Sequence, residues 1–600
     1  MRISLSYVPL AALLLIAAPP VAFAGGGPEN AVLVINSDVA LSETMGLEYA
    51  RLRQIPDCHL IRLGGIPAQP KITVEQLREL ILKPLLAAID DRGLRRQTDY
   101  VIYSAGFPWA VDIGADMAGK KFPRVITQPA SLTGLTYLYD MVLAQDMNYL
   151  AMDSNWYYRP LKRQNPPPVF TEAEREEQTK LEALLSQYQK ARRAAAEAKT
   201  PLTPEAKAWL DEAVTILQTL VSSHKSSELL FDLACVLALQ GKADDSMGAL
   251  KSAYDTGFWN ASMAASDRDL ISLRDRQDFK ALLDEMRQVV VESEPPRPFH
   301  GDTLWSRTGE PVVAAEGRRY LLAAMLPYVG PVANTEAEAL ECLRRSTAAD
   351  GTCPAGTVYF MESTDMARTG PRQPGFRSAA AALAKLGVKA EVIAGVLPKD
   401  KPDVAGAMIG IASFNWKESG STLLPGGFCD HLTSFGGVMT GAGQTVLSEF
   451  LRGGAAGACG TVTEPYNTPV KFPTPFLHVY YASGGSLGEA FYQSVRAPYQ
   501  QLLVGDPLCQ PWAKAPRVAV KGLAAGEDVT QSRWLQASTT PAVTRFELYV
   551  DGVLRHGCKA GQKLRLDLTH LPPGQHEARI VALAGPLDVP GRLIVPFATR

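Results

Sequence analysis

The N-terminal part of the chain alternates short apolar runs with amphipathic stretches. Residues Ala31-Val32-Leu33-Val34-Ile35-Asn36 are apolar up to a polar end, which is typical of a strand buried on both faces. Similar runs lie at 59–63 and 99–104, and amphipathic helices are predicted at 42–53, with Ser42 as N-cap, and at 73–91. Strands and helices that alternate at this spacing predict a parallel sheet covered by helices.

Between residues 171 and 291 the pattern becomes helical throughout. The stretch 171–199 is long, charged and alanine-rich, and shorter helices are predicted at 229–239 and 242–254. The string from Gly241 to Leu283 resembles the end of a bacterial tetratricopeptide array, with room for one or two repeats, fewer than an independent solenoid needs. We therefore expect this segment to pack on its neighbours.

Strand–helix alternation resumes after a proline-rich linker at 295–298. Apolar runs lie at 319–325, 357–361, 390–393, 407–412, 438–439 and 455–462, and a helix is predicted at 376–386. The two alternating regions are therefore predicted to form one α/β body that the helical segment interrupts.

The pattern changes again after Trp512. Residues 546–554 form two alternating runs around Asp551-Gly552, which predicts a β-hairpin. Further strands are predicted at 564–568 and 577–583, separated by the turn Pro572-Pro573-Gly574. The string LYVDGVL…LPPGQHEARIVAL resembles bacterial immunoglobulin-like domains, and this resemblance implies a β-sandwich of about 85 residues.

The first 24 residues have the pattern of a signal peptide. Arg2 precedes an apolar run at 10–18, and Ala22-Phe23-Ala24 provides a cleavage site between small residues. The apolar run has about half the length that a bilayer span needs, so a retained anchor is the weaker alternative. We expect export to the periplasm or to the extracellular space or cell surface.

These patterns divide the chain into five segments. They are a signal peptide at 1–24, a first α/β segment at 25–160, a helical tetratricopeptide-like insertion at 161–298, a second α/β segment at 299–513 and an immunoglobulin-like β-sandwich at 514–600.

Charge and composition restrict the partners. Sixty basic and sixty-two acidic residues give a net charge of −2, and no block of lysine or arginine is present that would follow a phosphate backbone. Nucleic acid is therefore not predicted, nor is a membrane span in the mature chain. The glycine pairs at 436–437 and 453–454 lack the Lys-Ser/Thr of a phosphate loop, and no cofactor is predicted. Protein or peptide partners are expected at the helical insertion and the sandwich.

The eight cysteines do not form the dense framework of a small secreted domain. Cys342 and Cys353 flank a short loop and are the disulfide candidates, because closing such a loop contributes about 2–3 kcal/mol on the chain-entropy model. The alternative is two ordinary thiols. No CxxC pair and no close Cys/His cluster is present in the sequence, so no metal site is predicted from spacing.

The candidate chemistry lies in three loops of the second α/β segment. In an open parallel sheet, ligands bind beyond the carboxyl ends of the strands. The loops 413–416, 428–437 and 460–473 are expected at these ends, and no other part of the chain combines as many polar and glycine residues. Their candidate binding residues are Asn415, Trp416, Thr433, Gly436, Gly437 and Lys471.

The strings DHLTSFGG, GGAAGACGTVTEP, KFPTPF, SLGEAFYQSV and LLVGDPLCQPW resemble a family of secreted bacterial proteins without a settled activity. The resemblance spans residues 30–512 apart from the helical insertion. The second half is also similar, more distantly, to gingipain-type cysteine peptidases, in which an immunoglobulin-like domain follows a caspase-like domain. This implies a caspase/gingipain-like parallel-sheet body, with a helical insertion and a C-terminal sandwich.

The resemblance also implies where a peptidase dyad would lie. Such enzymes place His-Gly after one strand and Cys after the next, and the first position here matches Phe414-Asn415, which has no imidazole. Cys429 lies near the second position, and His431 follows two residues later on the same side of an extended segment. A thiol at its ordinary pKa of about 8.5 would need that imidazole as its base.

Three other interpretations remain open. Asp430, His431 and Ser434 have the side chains of a hydrolase triad, with Glu464 as acid or base, although three triad members within five residues rarely reach the required geometry. Asp430, His431, Glu464 and His478 are candidate metal ligands. The structural alternative has His431 bonding a nearby carbonyl, Asp430 capping the next helix, and Thr433 and Ser434 satisfying loop amides.

The sequence therefore predicts an exported binding or scaffolding protein on a caspase-like fold that lacks the usual dyad. The alternative is an active hydrolase outside the cytoplasm. It would be a cysteine peptidase that uses Cys429 and His431, or a metal-dependent enzyme that uses Asp430, His431 and Glu464.

Overall fold

The structure is a computed structural model that describes residues 26–162, 170–313, 316–583 and 590–600. The predicted signal peptide lies outside the described residues. Among the helices of the described ranges, none is both long and apolar enough to cross a bilayer.

Ten strands of the described chain form one large sheet. In chain order they are β1 (Ala31–Asn36), β2 (Leu60–Leu63), β3 (Tyr100–Tyr103), β4 (Leu322–Met325), β5 (Thr357–Glu362), β6 (Lys389–Ala394), β7 (Val404–Gly410), β8 (Leu423–Leu432), β9 (Gly457–Thr461) and β10 (Gln501–Gly505). Their order across the sheet is β6-β5-β7-β8-β9-β10-β4-β3-β1-β2. The predicted mixed α/β class, with a large and mostly parallel sheet, is confirmed.

Strand direction divides this sheet into two halves. Strands β5 to β9 are mutually parallel, and β10 runs antiparallel to β9. Strand β10 is parallel to β4, and β4 is parallel to β3, β1 and β2. The carboxyl ends of β5 to β9 therefore lie at one edge of the sheet, and those of β1 to β4 lie at the opposite edge. The regions singled out in the sequence all lie towards the first of these edges. The predicted loop 428–437 is wrong in its first half, because residues 428–432 complete β8 and place Cys429, Asp430 and His431 within the strand.

Helices pack on this sheet and also form the insertion. The main ones are α1 (Ala40–Arg53), α2 (Lys83–Asp91, preceded by a π-helical turn at Leu77–Leu82), α3 (Glu172–Ala198), α4 (Pro204–Ser223), α5 (Ser227–Leu239), α6 (Ala243–Thr256), α7 (Ala261–Ser266), α8 (Gln277–Gln288), α9 (Glu336–Ala348), α10 (Phe376–Lys385), α11 (Ser448–Gly453), α12 (Phe476–Ala482) and α13 (Leu487–Ser494). The prediction that Ser42 caps α1 is wrong. The helix begins at Ala40, and the Ser42 hydroxyl accepts from the Asn36 amide at 2.9 Å, which connects β1 to α1.

Helices α3 to α8 share an apolar core of their own, separate from the core around the large sheet. The insertion also contacts the body by hydrogen bonds. The Ser262 hydroxyl of α7 donates to Gln373 Oε1 at 2.8 Å, and the Val291 amide donates to the Ser378 hydroxyl at 3.0 Å. Gln373 belongs to the loop after β5, so the insertion reaches the carboxyl edge that carries the candidate site.

The C-terminal residues form two further sheets. Their strands are β11 (Arg517–Lys521), β12 (Glu527–Val529), β13 (Arg533–Thr540), β14 (Arg545–Val550), β15 (Val553–Lys559), β16 (Leu564–Leu566), β17 (Gly574–Leu583) and β18 (Gly591–Thr599). The orders are β11-β13-β16 and β12-β18-β17-β14-β15, with apolar residues of both sheets in one core. The predicted hairpin between β14 and β15 is confirmed, and its turn residues Asp551 and Gly552 both have positive φ. The immunoglobulin-like sandwich remains a prediction.

A buried polar contact joins these C-terminal sheets to the body. The Glu29 carboxylate receives the Arg592 guanidinium at 2.8 Å and lies 3.5 Å from that of Arg579. Burial alone raises the pKa of Glu29, but the two guanidinium groups outweigh burial and hold this pKa below 4.5. Close by, both ring nitrogens of His59 contact carbonyl oxygens, of Ala31 at 2.8 Å and of Gly552 at 2.9 Å.

Candidate functional site

The candidate site lies at the carboxyl ends of β5, β7, β8 and β9. From β5 the chain first forms β6 on one side and then returns to form β7 on the other, so the strand order reverses between β5 and β7. Such a point of reversal leaves a crevice at the ends of the strands, where open α/β sheets bind ligands. The fold thus places the predicted loops where binding is expected.

Side chains of β8 alternate between the two faces of the sheet. The Asp430 carboxylate contacts Cys459 and Arg372 on one face. Cys429 and His431 point to the other face, as the two-residue period of a strand requires. Asp430 and His431 are therefore adjacent in sequence but separated by the sheet.

Cys429 is fully buried. Its register partners are Ala407 on β7 and Ala458 on β9, so small side chains flank it on both neighbouring strands. Burial raises the pKa of its thiol well above the ordinary value. Within the described residues, no hydrogen bond connects Cys429 to His431 or to another imidazole.

The His431 ring lies beneath the loop after β8 and is 1% exposed. Its Nε2–H donates to the carbonyl oxygen of Thr445 at 2.9 Å, as the structural alternative expects, and its ring centroid lies 5.1 Å from that of Phe414. Burial is the main reason that the pKa of His431 falls to about 3, and the nearby Arg372 acts in the same direction. Its Nδ1 is buried and has no hydrogen-bond partner.

Asp430 lies within β8 and is 1% exposed. It pairs with the buried Arg372 guanidinium, and the Cys459 thiol donates to its Oδ1 at 3.0 Å. Arg372 also donates to the carbonyl oxygen of Ile409 at 2.6 Å, and burial lowers its pKa to about 9. The prediction that Asp430 caps a helix is wrong, because its carboxylate is used to hold the loop after β5 against the sheet.

Thr433 and Ser434 follow β8 directly. The Thr433 hydroxyl donates to Gln444 Oε1 at 2.7 Å and accepts from the Arg368 guanidinium at 3.3 Å. In the described chain, the Ser434 hydroxyl makes no hydrogen bond, and its carbonyl oxygen accepts from Thr461 at 3.0 Å. No hydrogen bond in the described ranges connects Ser434 with His431, so the predicted triad residues are not assembled.

Gly436 and Gly437 are required by protein packing. A Cβ at Gly436 would lie 3.0 Å from Cε1 of His431, and one at Gly437 would overlap the carbonyl oxygen of Gly460 on β9. The sequence suggested that a ligand approaches the backbone at these glycines. In the structure, His431 and the Gly460 carbonyl occupy that space.

Glu464 and Lys471 belong to a second cluster, where residues 125–128 of the N-terminal half cross the loop after β9. The buried Lys471 ammonium donates to the carbonyl oxygen of Val125 and lies 5.4 Å from the ring centroid of Tyr499. Burial lowers its pKa to about 8. The Thr127 hydroxyl donates to the carbonyl oxygen of Glu464 at 2.6 Å. Segment 125–128 therefore occupies the Lys471 ammonium, whereas the Glu464 carboxylate accepts from the backbone amide of Tyr466 at 2.8 Å.

An open cleft of about 590 Å³ lies above His431. Phe414, Asn415 and Lys417 form one side of it, and the glycine-containing loop from Gly441 to Thr445 forms another. Asn415 and Lys417 are exposed to the cleft, whereas Trp416 is 4% exposed and its amide donates to Glu449 Oε1 at 2.9 Å. Of the predicted binding residues in this loop, Asn415 borders the cleft and Trp416 supports its wall.

Both candidate disulfide residues are free thiols in the structure. Cys342 is buried on α9, where its thiol donates to the carbonyl oxygen of Ala455 at 3.3 Å, while Cys353 is exposed. The predicted disulfide is therefore absent from the structure. One of its cysteines is buried and the other lies at the surface.

The described ranges contain no group of three or more His, Cys, Asp or Glu side chains placed to hold a metal ion. His478, the fourth candidate ligand, is buried beside Phe360, with ring centroids 5.7 Å apart. Burial also lowers its pKa to about 3, and its Nε2 has no hydrogen-bond partner.

Sequence reasoning missed four residues that shape this edge, namely Arg368, Arg372, Gln444 and Thr445. The two arginines follow the predicted strand at 357–361, so their position beyond its carboxyl end was the available signal. The burial of Arg372 depends on its contact with Asp430, 58 residues later in the chain. The sequence gives no indication of the roles of Gln444 and Thr445. These residues accept hydrogen bonds from Thr433 and His431, which they meet only in the folded chain.

Comparisons with known proteins give no family. No model of a protein family matches the chain, and none of the curated proteins matches it. One similar solved structure is a complex of the pro- and mature domains of RgpB from Porphyromonas gingivalis, with 11% identity over 47% of this chain and 77% of that chain and a TM-score of 0.29. A second is a β-glucuronidase from Parabacteroides merdae with glycerol in its active site, with 11% identity over 47% and 41% of the two chains and a TM-score of 0.12. Values this low carry no argument about activity.

Proposed function

We propose that this protein is a non-catalytic binding or scaffolding protein that acts outside the cytoplasm, on a caspase-like body without the peptidase dyad. The proposal rests on the burial and the pKa values of Cys429 and His431, the thiol–imidazole pair that the sequence suggested. Cys429 is fully buried with a raised pKa, and His431 is bonded to the Thr445 carbonyl with its pKa lowered to about 3.

These shifts oppose nucleophilic catalysis. A general base works best when its pKa lies near the operating pH, and a cysteine nucleophile needs its thiolate form. Burial moves the two groups of this pair in opposite directions, so that proton transfer from Cys429 to His431 is strongly unfavourable. The substrate would also need to reach a sulfur that small strand residues enclose.

Strand order supports the caspase-like part of the proposal. The series β6-β5-β7-β8-β9-β10, in which only β10 is antiparallel to its neighbour β9, is compatible with a caspase-like sheet. The position of the missing imidazole corresponds to Phe414-Asn415, at the end of β7. In this protein, Phe414 packs on His431 and Asn415 borders the cleft.

The cleft beside Asn415 is the best candidate for the binding surface. It combines an apolar ring, from Phe414, with a glycine-rich wall and the exposed ammonium of Lys417. Lys417 makes no ion pair in the described residues, so it is available to an acidic group on a ligand. A peptide segment with an acidic side chain fits this combination of apolar, backbone and charged contacts.

The insertion and the C-terminal sheets supply further contact surfaces in this proposal. Helix α7 of the insertion contacts Gln373, next to the Arg372 that anchors Asp430. A partner bound to the insertion would therefore lie near the carboxyl edge of β5. The leader-like pattern at 1–24 supports a location in the periplasm or at the cell surface.

Thiol labelling and peptide hydrolysis test the catalytic half of the proposal. Native protein is treated with iodoacetamide at pH 7, and the modified cysteines are mapped by mass spectrometry. Cys353 is exposed and serves as the internal control, so we expect it to react rapidly while Cys429 reacts only in urea. A peptide library should remain uncleaved by the native protein and by Cys429→Ala alike.

Rapid native labelling of Cys429, or turnover that Cys429→Ala abolishes, would establish the cysteine peptidase alternative instead. Hydrolysis that a chelator abolishes would favour the metal-dependent alternative.

Peptide display tests the binding half. Peptides selected on the immobilised protein should be acidic, and Lys417→Glu should weaken them about tenfold or more, because it replaces an attraction with a repulsion in the cleft. Lys399→Glu is the matched control, since Lys399 is also exposed but does not line the cleft. Equal loss in both variants, or no selected peptides, would contradict the assignment of the cleft.

A further inference from the structure

The outward face of the sheet β11-β13-β16 combines cations with an exposed tryptophan. Alternate residues of these strands enter the C-terminal core, among them Val518, Leu535, Ala537 and Leu564. The opposite positions point outward, and we call them the Trp534 face. They are Arg517, Ala519 and Lys521 on β11, Trp534, Gln536, Ser538 and Thr540 on β13, and Arg565 on β16.

Strand register arranges these side chains in rows. Arg565 lies opposite Trp534, Lys521 opposite Gln536, and Arg517 opposite Thr540. At about 3.3 Å per residue, the row from Trp534 to Thr540 is about 20 Å long. Its uncharged hydrogen-bonding groups therefore lie on the central strand β13, and its cations lie on the flanking strands β11 and β16.

The face carries an excess of positive charge. Residues 514–600 contain twelve Lys or Arg and seven Asp or Glu, although the whole chain has a net charge of −2. Glu527 pairs with Arg533, and the pKa of Asp567 is lowered mainly by hydrogen bonds from Thr569 and to a smaller extent by the charge of Arg565. In the described chain, none of the three cations of the Trp534 face makes an ion pair.

Trp534 is the aromatic centre of the face and is 54% exposed. The Arg565 guanidinium lies over one face of the indole, 5.4 Å from the ring centroid, and the His556 ring meets the indole edge-on at 6.1 Å. These contacts fix the indole with a cation over one face, so a ligand would stack on the opposite face. The apolar C–H face of a sugar ring stacks on such a platform, while guanidinium groups bind carboxylates by charge-assisted hydrogen bonds.

We propose that the Trp534 face binds a carboxylate-bearing polysaccharide, with one sugar ring stacked on Trp534 and its carboxylates bound by Arg565, Lys521 and Arg517. The face is complementary to this ligand in charge, in its aromatic platform and in its row of amide and hydroxyl groups. Its cations are separated by uncharged side chains, as the carboxylates of a polyuronate are separated by hydroxyl groups. The proposal is independent of the cleft beside Asn415.

Binding of polygalacturonate to the full-length protein tests the proposal, with dextran as the neutral polymer. We expect polygalacturonate to bind and dextran to bind far more weakly, with an affinity that falls as salt rises. Trp534→Ala and the double variant Arg517→Ser/Lys521→Ser should each weaken binding about tenfold or more. The matched control is Arg555→Ser/Lys559→Ser, which removes two exposed cations of the adjacent strand β15 and should change affinity less than about twofold.

Circular dichroism and the thermal midpoint of each variant exclude unfolding as the cause of a loss. Absence of polygalacturonate binding would overturn the proposal, and so would binding that survives Trp534→Ala. Equal affinity for polyglutamate, single-stranded oligothymidylate or phosphatidylglycerol vesicles would also overturn it, because the face would then recognise charge without recognising sugar.

Discussion

Two regions of this molecule use the same kinds of buried polar residue in different ways. One is the docking interface, where Glu29, His59, Arg579 and Arg592 join the C-terminal sheets to the body. The other is the carboxyl edge of β5 to β9, with Arg372, Asp430, His431 and His478. Each has a buried ion pair and a buried imidazole, so the difference between them lies in how completely these groups are bonded.

The docking interface satisfies its groups almost completely. The Nδ1–H of His59 donates to the carbonyl oxygen of Ala31, and its Nε2 accepts from the Gln97 side-chain amide at 3.3 Å. Glu29 faces two guanidinium groups, and Arg592 Nη2 is the one buried atom of Glu29, His59, Arg579 and Arg592 that has no partner in the described residues. The carboxyl edge leaves three buried atoms without a partner, on Arg372 (Nε), His431 (Nδ1) and His478 (Nε2). A buried polar atom without a hydrogen bond costs about 1–3 kcal/mol.

The difference indicates two roles. A satisfied network holds two parts of the chain together and leaves little capacity for anything else. An incompletely satisfied network near a strand-order reversal keeps hydrogen-bonding capacity where ligands bind in open sheets. The docking interface is thus a structural connection, and the less completely bonded carboxyl edge is the region to which the binding role is proposed.

The largest effect is expected from Glu29→Gln. It removes the carboxylate that pairs with the partly buried Arg592 and leaves the buried Arg579 with Glu577 as its carboxylate partner, and breaking a buried ion pair costs up to about 3–5 kcal/mol. Because the folded pKa of Glu29 lies below 4.5, its contribution is present above that pH and is lost as the pH falls. The difference in free energy of unfolding between the variant and the native protein, measured by urea unfolding, should therefore be smaller at pH 4 than at pH 7.

Glu79→Gln is the control for this change, because Glu79 forms an exposed pair with Lys83 and should contribute less than about 1 kcal/mol. Equal destabilisation by the two substitutions would refute a structural role for the docking interface.

An intermediate effect is expected from the histidines of the carboxyl edge. The pKa of His431 is about 3 in the folded state, against an ordinary value of 6.5 for an exposed imidazole, so between these values only the unfolded chain takes up a proton. Stability should fall as the pH drops from 6.5 towards 3, by about 1.4 kcal/mol per pH unit for each such histidine. His431→Gln removes the contribution of His431 to the pH dependence of stability and keeps a hydrogen-bond donor for the Thr445 carbonyl.

Unfolding midpoints between pH 7 and pH 4 measure the slope, and His570→Gln is the control at an exposed position. A slope that His431→Gln leaves unchanged would mean that burial does not lower the pKa of His431, and this would contradict the enclosed position of its imidazole.

The smallest effect is expected from Ser434→Ala. The Ser434 hydroxyl is partly exposed and makes no hydrogen bond in the described residues, so its removal should change stability by less than about 0.5 kcal/mol. Thr433→Ala removes the bonds to Gln444 and Arg368 and should cost about 1 kcal/mol more. Thermal unfolding of both variants, side by side, measures the difference. A larger loss from Ser434→Ala would show that this hydroxyl belongs to the network of the edge.

The sequence by itself determined the elements and their class. Apolar runs such as 31–36 and 99–104 became strands of one sheet, the helical periodicity at 171–291 became α3 to α8, and Asp551-Gly552 became a hairpin turn. It also located the chain segments that lie at the carboxyl edge, although residues 428–432, expected in a loop, belong to β8. Hydrophobic periodicity and turn chemistry are local properties, so they can be read before the chain is folded.

Only the tertiary structure decided which side chains are available. Cys429, His431 and Lys471 have chemically suggestive types in the sequence, yet Ala407, Thr445 and Val125 respectively enclose or occupy them. The pairing of Arg372 with Asp430 and of Glu29 with Arg592 likewise connects residues far apart in the chain. Burial and hydrogen-bond competition set the pKa and accessibility of a group, and both arise from neighbours that sequence spacing does not identify.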